Sequence, residues 1–418
     1  MLDEIKAAKK YALNGGPFGS KLVTNDYIPE GVPVIRGTNL SKDTYFSFED
    51  LVFVSEEKAD ELKPNNAHPG DIIFTQRGTL GQVGIIPKIC KYKRFVISQS
   101  QMKLTVDEIK TDSYFIYYYF RNPNTIQRIK NLAFSSGVPH INLQVLREFE
   151  IELPPLPTQR KIAAILSAYD DLIENNTRRI KILEEMAQAL YREWFVNFRF
   201  PGHEKVQMEE SELGPKPEGW EVVKFTDIAD VLSGGTPKTN ISEYWNGQIP
   251  FFAPKDSPSS FYVLETEKSI TELGLKRCNS KLYPRNTVFI TARGTVGKIA
   301  MPAVNMAMNQ SCYALKGRDG ISQYFVFLAI KNCIEELKQR ATGAVFDTII
   351  VDTFRMLEVV KPPISLINRI SDLVTPLFDL ILNISYQNAN LRRTRDLLLP
   401  QLISGKIDIE NVKINDLS

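Results

Sequence analysis

Histidine and cysteine are scarce in this sequence, which has three histidines and four cysteines among 418 residues. None of the three histidines lies close in sequence to a cysteine or to another histidine, so a metal site built on histidine is not expected. The cysteines form neither a CxxC pair nor an evenly spaced framework. Their pattern favours reduced thiols in a cytoplasmic protein.

Long apolar runs are also missing from the chain. No stretch approaches the ~18 apolar residues that a membrane-spanning helix needs. The first ten residues, MLDEIKAAKK, are charged and lack the apolar stretch of a secretion signal. With 43% hydrophobic and 24% charged residues, the composition is typical of a soluble globular protein, and the length predicts two or three domains.

The chain has no large excess of charge of either sign. Its formal net charge is +2, which by itself argues against a nucleic-acid-binding protein. The distribution is more informative, because residues 72–106 contain six basic and no acidic residues, and residues 273–318 contain eight basic and no acidic residues. Two interpretations of each window stay open, a solvated face and a contact surface for a polyanion.

One decamer occurs twice, as TQRGTLGQVG at 75–84 and as TARGTVGKIA at 291–300. It is not a nucleotide-binding P-loop, because Ala292 stands where the first glycine is required and Ile299 where serine or threonine must bind magnesium. It also lacks the glycine spacing of a dinucleotide-binding turn. The decamer is therefore either a tight turn that brings an arginine and a threonine to a polyanion, or a hairpin turn whose arginine is satisfied at the surface.

The decamer belongs to a longer tandem duplication. Four further pairs of matching segments occur in the same order in the two halves of the chain: VPVIRGTN with IPFFAPKD, SQSQMKL with NQSCYAL, YFIYYYFRN with YFVFLAIKN, and EFEIELPPL with MLEVVKPPI. The chain is thus predicted to contain two copies of one mixed unit of strands and helices. The tyrosine-rich YFIYYYF is predicted to be a buried amphipathic helix rather than a base-stacking platform, because its copy is largely aliphatic.

A long amphipathic helix is predicted after each unit. Seam residues recur in alternating steps of four and three over nearly five heptads, which corresponds to roughly 50–60 Å of helix. The two helices are expected to pack on each other, and Pro376 and Pro400 predict a bend or break in the second. The predicted seam positions are Leu166, Ile173, Asn176, Ile180 and Leu183 in the first helix and Leu377, Ile381, Ile384, Asn388 and Leu391 in the second.

The segment GVPHINLQVLREFEIELPPLPTQRKIAAIL at 137–166 closely resembles the end of a target-recognition module in the specificity (S) subunits of type I restriction-modification enzymes. GGPFGSKL, PGDIIFTQRGTLGQVGII and LISGKIDI agree with it. The resemblance implies an α+β fold with two duplicated mixed α/β target-recognition domains, separated by two long antiparallel helices that form a coiled coil with pseudo-twofold symmetry. The implied divisions are domain 1 (1–156), spacer helix 1 (157–198), a linker (199–212), domain 2 (213–363), spacer helix 2 (364–405) and a C-terminal tail (406–418).

The resemblance also implies a function. The chain would be a non-catalytic subunit that recognises a bipartite site in double-stranded DNA and directs two modification (M) methyltransferase subunits and the restriction (R) subunits to it. S-adenosylmethionine, ATP and magnesium would be bound by those partners, and the whole complex would act as an adenine DNA methyltransferase and endonuclease. The alternatives are a coiled-coil protein-interaction scaffold without sequence-specific DNA binding, and a single-chain nuclease or methyltransferase with a degenerate site.

The candidate DNA-binding residues come from the decamers, the acid-free windows and two glycine loops. In domain 1 they are Gly15, Gly16, Ser20, Arg77, Thr79, Lys88, Lys91, Lys93 and Arg94. In domain 2 they are Gly235, Thr236, Lys238, Lys281, Arg285, Arg293, Thr295 and Lys298. Domain 1 differs from domain 2 at its start, because it has no counterpart of Trp220 and of the strand predicted after it.

Overall fold

The chain divides in the middle of its two longest helices. The computed structural model describes residues 1–41, 44–133, 139–342 and 348–409. Unit 1 consists of Met1–Asn175 and Ala389–Ser418, and unit 2 of Asn176–Asn388. Of the predicted C-terminal tail, residues 410–418 lie outside the described residues.

The Val-, Ile- and Phe-rich runs of unit 1 form short strands that end at Gly, Pro, Asn or Asp, as β-propensity and turn chemistry dictate. The strands are β1 (Leu13–Gly15), β2 (Val32–Ile35), β3 (Val52–Val54), β4 (Asn66–Ala67), β5 (Ile72–Thr75), β6 (Val83–Ile85), β7 (Phe95–Ile97) and β8 (Gln101–Leu104). The helices are α1 (Glu56–Glu61), α2 (Ser113–Arg121), α3 (Pro123–Asn131) and α4 (Leu143–Arg147). One sheet has the order β1-β8-β5-β6 and the other β3-β2-β7-β4, in which only β2 and β7 are parallel.

The tyrosine-rich segment forms the central helix of the unit 1 core. Asp112 caps α2 by accepting a hydrogen bond from the backbone N–H of Phe115 at 2.9 Å. Every side chain from Phe115 to Phe120 is buried, and the ring of Phe120 lies 4.8 Å from that of Phe74 on β5. The prediction of a buried helix rather than a stacking platform is therefore confirmed.

Unit 2 repeats this arrangement with longer strands. Its strands are β9 (Met208–Glu209), β10 (Lys216–Pro217), β11 (Glu221–Lys224), β12 (Ala229–Ser233), β13 (Trp245–Phe252), β14 (Tyr262–Val263), β15 (Lys268–Ile270), β16 (Val288–Thr291), β17 (Ile299–Pro302), β18 (Ala307–Met308), β19 (Cys312–Gly317) and β20 (Glu358–Lys361). Its short helices are α6 (Phe225–Ile228), α7 (Glu272–Lys276), α8 (Gln323–Asn332), α9 (Ile334–Thr342) and α10 (Val351–Arg355). The sheet order β12-β19-β16-β17-β14 matches β1-β8-β5-β6, and β13 pairs with β18 in parallel as β2 does with β7.

One strand pair of unit 2 has no counterpart in the described part of unit 1. In unit 2, β11 pairs antiparallel with β20, and the chain then enters α6, where Phe225 donates its N–H to the carbonyl oxygen of Leu357 at 2.7 Å. In unit 1 the matching bond runs from Leu2 to Phe149 at 3.0 Å. Leu2 thus takes the place of Phe225 in this contact.

The two heptad patterns form helices of 40 residues each, α5 (Leu156–Phe195) and α11 (Ile364–Ile403). In unit 1, Asp170 of α5 contacts Arg395 of α11. In unit 2, the amide of Asn388 donates to the hydroxyl of Thr177 at 3.3 Å, and Arg369 lies over the ring of Trp194. Higher numbers on α5 meet lower numbers on α11 within unit 2, so the two helices run antiparallel there, as predicted.

The predicted seam positions differ in their degree of burial. Those with exposures of 7% or less are Leu166, Ile173, Asn176, Ile180, Ile381, Ile384 and Asn388. Those that are half-buried are Leu183, Leu377 and Leu391. None of the helices in the described ranges is both long enough and apolar enough to cross a membrane.

The second helix does not break at its prolines, since α11 continues through Pro376 and Pro400. The other predicted outcome, a bend at these residues, stays a prediction. A proline in a helix leaves the carbonyl group four residues earlier without its usual N–H donor. The residues at those positions, Asp372 and Asp396, are both exposed, so they lie on the solvent side of the helix.

Candidate nucleic-acid interface

The first decamer forms the hairpin turn between β5 and β6. Gly78 and Gly81 have φ angles of 99° and 87°, a left-handed conformation that only glycine adopts without strain. A Cβ atom on Gly81 would also lie 2.7 Å from Ile126. The turn exposes Arg77 and Thr79, and no described residue pairs with the Arg77 guanidinium.

A polar cleft of about 570 Å³ lies beside this hairpin in unit 1. Three segments build it: the turn after β2, the hairpin itself, and the turn between β7 and β8. Backbone hydrogen bonds join them, from Gln76 N–H to the oxygen of Ser100 at 2.7 Å and from Ser98 N–H to the oxygen of Ile35 at 2.9 Å. The cleft is lined by Tyr27, Arg36, Gly37, Thr38, Thr75, Arg77, Gly78, Thr79, Gln82, Ser98, Ser100 and Gln101.

The side chains that line this cleft are suited to binding a polyanion that also presents the hydrogen-bonding edges of bases. Two guanidinium groups, those of Arg36 and Arg77, face it, and none of the described residues that line it carries a carboxylate. Arginine and glutamine can form paired hydrogen bonds with base edges, whereas serine and threonine hydroxyls donate to phosphate oxygens. The cleft can therefore both position and read a nucleic acid.

The predicted glycine loop supports the cleft from behind. Gly16 is buried, and its N–H donates to the oxygen of Gln101 at 2.8 Å. A Cβ atom on Gly16 would lie 2.0 Å from the carbonyl oxygen of Ser98. Gly15 is buried as well, while Ser20 is exposed. The two glycines therefore shape the wall of the cleft, and their contact with DNA stays a prediction.

Replacing Gly16 with alanine is expected to lower the free energy of unfolding by about 1–3 kcal/mol, because the added methyl group must displace the backbone at Ser98. Urea unfolding followed by circular dichroism measures this change. The matched control is Gly37→Ala in the same cleft, where the nearest atom to the new methyl group is 3.7 Å away. That variant is expected to stay within about 0.5 kcal/mol of the original protein, and equal losses in both would contradict the packing argument.

Apart from Arg77, the candidate basic residues of the first acid-free window lie outside the cleft. Arg94 contacts the carboxylates of Glu56 and Asp60, which raise the pKa of its guanidinium. Lys88 lies 3.1 Å from a carboxylate oxygen of Glu108. The window contains no acidic residue, but acidic side chains from other segments of the chain contact its basic residues. Lys91 lies over the ring of Tyr92, and like Lys93 it is exposed; DNA contact by these four residues stays a prediction.

Unit 2 assembles the same three segments around its own hairpin. Gly294 and Gly297 both have φ angles of 80°. Ala292 N–H donates to the oxygen of Ser311 at 2.7 Å, and Asn309 N–H donates to the oxygen of Phe252 at 2.9 Å. The hairpin and the end of β13 are therefore both joined to the turn before β19, as their counterparts are joined in unit 1.

The glycine loop of unit 2 contacts the same turn, since the Thr236 hydroxyl donates to the side-chain oxygen of Gln310.

The candidate residues of unit 2 are only partly brought together. Arg293, Thr295, Lys298 and Lys238 are exposed on the hairpin and the glycine loop. Arg293 lies near Tyr313, where it opposes the rise that burial causes in the pKa of the phenol.

The other candidates of unit 2 lie elsewhere. Gly235 is buried, and its Cβ atom would lie 2.6 Å from the backbone nitrogen of Asn279, so it too shapes the loop. Lys281 and Arg285 line a different cleft of about 450 Å³ together with Lys316.

Several cleft residues were not among the sequence-based candidates, although the signal for them was present. Arg36 and Thr38 lie in VPVIRGTN, and Ser98, Ser100 and Gln101 lie in SQSQMKL. Both segments are recurring marks of the duplication. Their recurrence at the same places relative to the decamer is explained by their convergence on one surface. Within the described ranges, no three His, Cys, Asp or Glu side chains are grouped so as to hold a metal ion.

Comparison with known families gives the class of the chain. The family described as type I restriction modification DNA specificity domain matches residues 14–185 and again residues 217–391. These two matches cover most of the chain, which belongs to this family. It is accordingly a specificity subunit of the type I restriction-modification kind and not a catalytic subunit, as the sequence predicted.

Individual relatives agree with this assignment. The chain is 27% identical over 364 residues to the type I restriction enzyme MjaIX specificity subunit of Methanocaldococcus jannaschii, covering 86% of this chain and 82% of that protein. It is 25% identical over 354 residues to the HindI specificity subunit of Haemophilus influenzae, covering 70% and 77%. The crystal structure of the S subunit of a type I restriction-modification system from M. genitalium has the same fold, with a TM-score of 0.58 at 20% identity over 96% of this chain and 94% of that one.

Proposed function

We propose that this chain selects the DNA sequence on which a type I restriction-modification complex acts. Each unit reads one half of a bipartite site in double-stranded DNA, and the chain directs two M methyltransferase subunits and the R subunits to that site. The chain itself contributes recognition, while S-adenosylmethionine, ATP and magnesium are bound by the partners.

One observation carries this proposal: the two units build one surface from the same three segments but furnish it with different side chains. Where unit 1 presents Arg36, Gly37 and Thr38, the matching segment of unit 2 reads Ala253-Pro254-Lys255. The turn Ser98-Gln99-Ser100 is matched by Asn309-Gln310-Ser311. A common backbone with different polar groups is suited to reading two different short sequences.

Docking of the partner subunits is supported by apolar side chains left exposed on the two long helices. Leu172 on α5 is 45% exposed, and Leu380, which lies 208 residues later on α11, is 39% exposed. Exposed leucines at equivalent positions of the two repeats fit two copies of the same partner. Ile182, Met186 and Leu373 add to this exposed apolar surface.

The two hairpin arginines test the proposal directly. Cells that carry the chain with its M subunit are expected to show a bipartite methylated-adenine motif in methylome sequencing. Arg77→Ala is expected to relax one half of that motif and Arg293→Ala the other. The loss of one bidentate contact corresponds to about 10–100-fold in discrimination at the contacted base pair.

Arg318→Ala is the matched control, because the same charge is lost from a side chain that is not a candidate contact and is already paired with the carboxylate of Asp230. It is expected to leave the motif unchanged. The proposal of one half-site per unit is wrong if both hairpin variants relax the same half. A complex that assembles but yields no motif in the unaltered protein would favour the scaffold alternative.

A further inference from the structure

One carboxylate is enclosed between the two long helices in unit 1. Asp170 of α5 is 2% exposed and accepts a hydrogen bond from the phenol of Tyr118 at 2.7 Å. It also contacts the guanidinium of Arg395 on α11, and a nitrogen of Arg121 lies 3.7 Å away. Arg395 is itself 3% exposed, so both charges of this pair are removed from water.

The positions of unit 2 that match Asp170 and Arg395 carry no charge. Phe378 follows Asp170 by 208 residues, and Ala187 precedes Arg395 by the same number. Both are fully buried, and Leu328 stands where unit 1 has the tyrosine. At equivalent positions of the helix seam, unit 1 therefore packs a charge pair, whereas unit 2 packs apolar side chains.

The duplication allows a competing arrangement, in which two copies of the chain pair α5 with α5 and α11 with α11. In the same antiparallel register, Asp170 would then face Ala187, and Arg395 would face Phe378. Each charge would lose its partner on the facing helix, so that Asp170 would keep only Tyr118 and Arg121, and Arg395 only the exposed Asp396 beside it. Breaking a buried ion pair is strongly unfavourable, whereas the intact pair adds little net stability.

We propose that the Asp170–Arg395 pair makes each long helix select the other helix of its own chain and reject the like helix of a second copy. An apolar seam such as that at Ala187 and Phe378 fits either arrangement equally well. The charge pair distinguishes them by penalising the wrong one, which is a general route to specificity. This role does not depend on DNA binding.

The test uses two full-length copies with different affinity tags, produced together in one cell. Native mass spectrometry then measures the fraction of dimers that carry both tags. Arg395→Ala is expected to raise this fraction at least about tenfold, because Asp170 lacks its partner in both arrangements and the difference between them disappears. Arg393→Ala removes the same charge from an exposed position two residues away and is expected to leave the fraction unchanged.

A second variant keeps the test valid if Arg395→Ala folds poorly. Combining Asp170→Phe, Tyr118→Leu and Arg395→Ala transfers the three residues of unit 2 into unit 1 and leaves no charge of this pair. It is expected to raise the mixed fraction as well, with its folded state checked by circular dichroism. The proposal is overturned if the folded triple variant stays at the level of the unaltered chain, or if Arg393→Ala raises the fraction as much as Arg395→Ala does. Two copies could also exchange helices so that α5 of one copy packs on α11 of the other. That arrangement preserves the Asp170–Arg395 pair, so these substitutions do not favour it.

Discussion

Replacing Asp170 with alanine is expected to lower the free energy of unfolding of unit 1 by about 3–5 kcal/mol. The substitution removes the buried carboxylate partner of Arg395, leaves it only the exposed Asp396, and removes the acceptor of the Tyr118 phenol. Arginine cannot lose its charge to relieve this cost. Hydrogen exchange measured by mass spectrometry over α2 and the first half of α5 reports on unit 1 separately and is expected to show faster exchange.

The neighbouring Asp171 provides the matched control. Its carboxylate is exposed and accepts a hydrogen bond from Tyr45 at 2.9 Å. Asp171→Ala makes the same chemical change one residue away and is expected to cost no more than about 1.5 kcal/mol. Equal losses for the two variants would show that burial of the charge pair is not the cause.

Replacing Phe378 with alanine is expected to lower the free energy of unfolding of unit 2 by about 3–5 kcal/mol, through loss of apolar burial and formation of a cavity. Phe378 is fully buried, and its ring lies 4.5 Å from that of Tyr324 and 5.3 Å from that of Phe261. All three tryptophans of the chain lie in unit 2. Urea unfolding followed by tryptophan fluorescence therefore measures this change.

Two variants bracket the expected cavity effect. Phe378→Leu keeps most of the volume and is expected to lose less than the alanine variant. Leu380→Ala lies two residues further on at a position 39% exposed and is expected to stay within about 0.5 kcal/mol of the original protein. If Leu380→Ala were as damaging as Phe378→Ala, a general weakening of α11 would explain both.

The burial of Asp170 shows where sequence reasoning reached its limit. The heptad pattern placed Leu166 and Ile173 in the seam but not Asp170, which lies between them in sequence and is also buried. Apolar periodicity identifies a helix face but does not register a carboxylate on that face. The partners of Asp170 are Tyr118 and Arg395, which lie 52 and 225 residues away in the sequence.

Local patterns, in contrast, were sufficient for the main elements. The heptads predicted two long helices of nearly five repeats each, and the structure has them at Leu156–Phe195 and Ile364–Ile403. The duplication could be read from the order of the repeated segments, and the buried helix at YFIYYYF from the aliphatic character of its copy. Proline alone did not indicate where the second helix ends, since α11 continues through Pro376 and Pro400.

The candidate contact residues depended on information that a linear window does not contain. Counting charges along 72–106 gave weight to Arg94, but the structure pairs it with acids from α1, 34 and 38 residues earlier. The cleft residues Arg36 and Ser100 belong to segments far apart in sequence. Sheet pairing brings these segments together, and no charge pattern along the chain indicates it.

The position of the unit boundaries has a consequence for inheritance. Unit 2 is one uninterrupted stretch, Asn176–Asn388, whose two ends fall in the middle of a helix. Two crossovers between related genes, one near each end, would exchange this entire unit at once. The contact between Asp170 and Arg395 would stay with the recipient, and that between Thr177 and Asn388 would arrive with the donor. A lineage with this gene architecture can therefore replace one recognition domain in a single recombination event and keep the helix contacts on both sides of the joins.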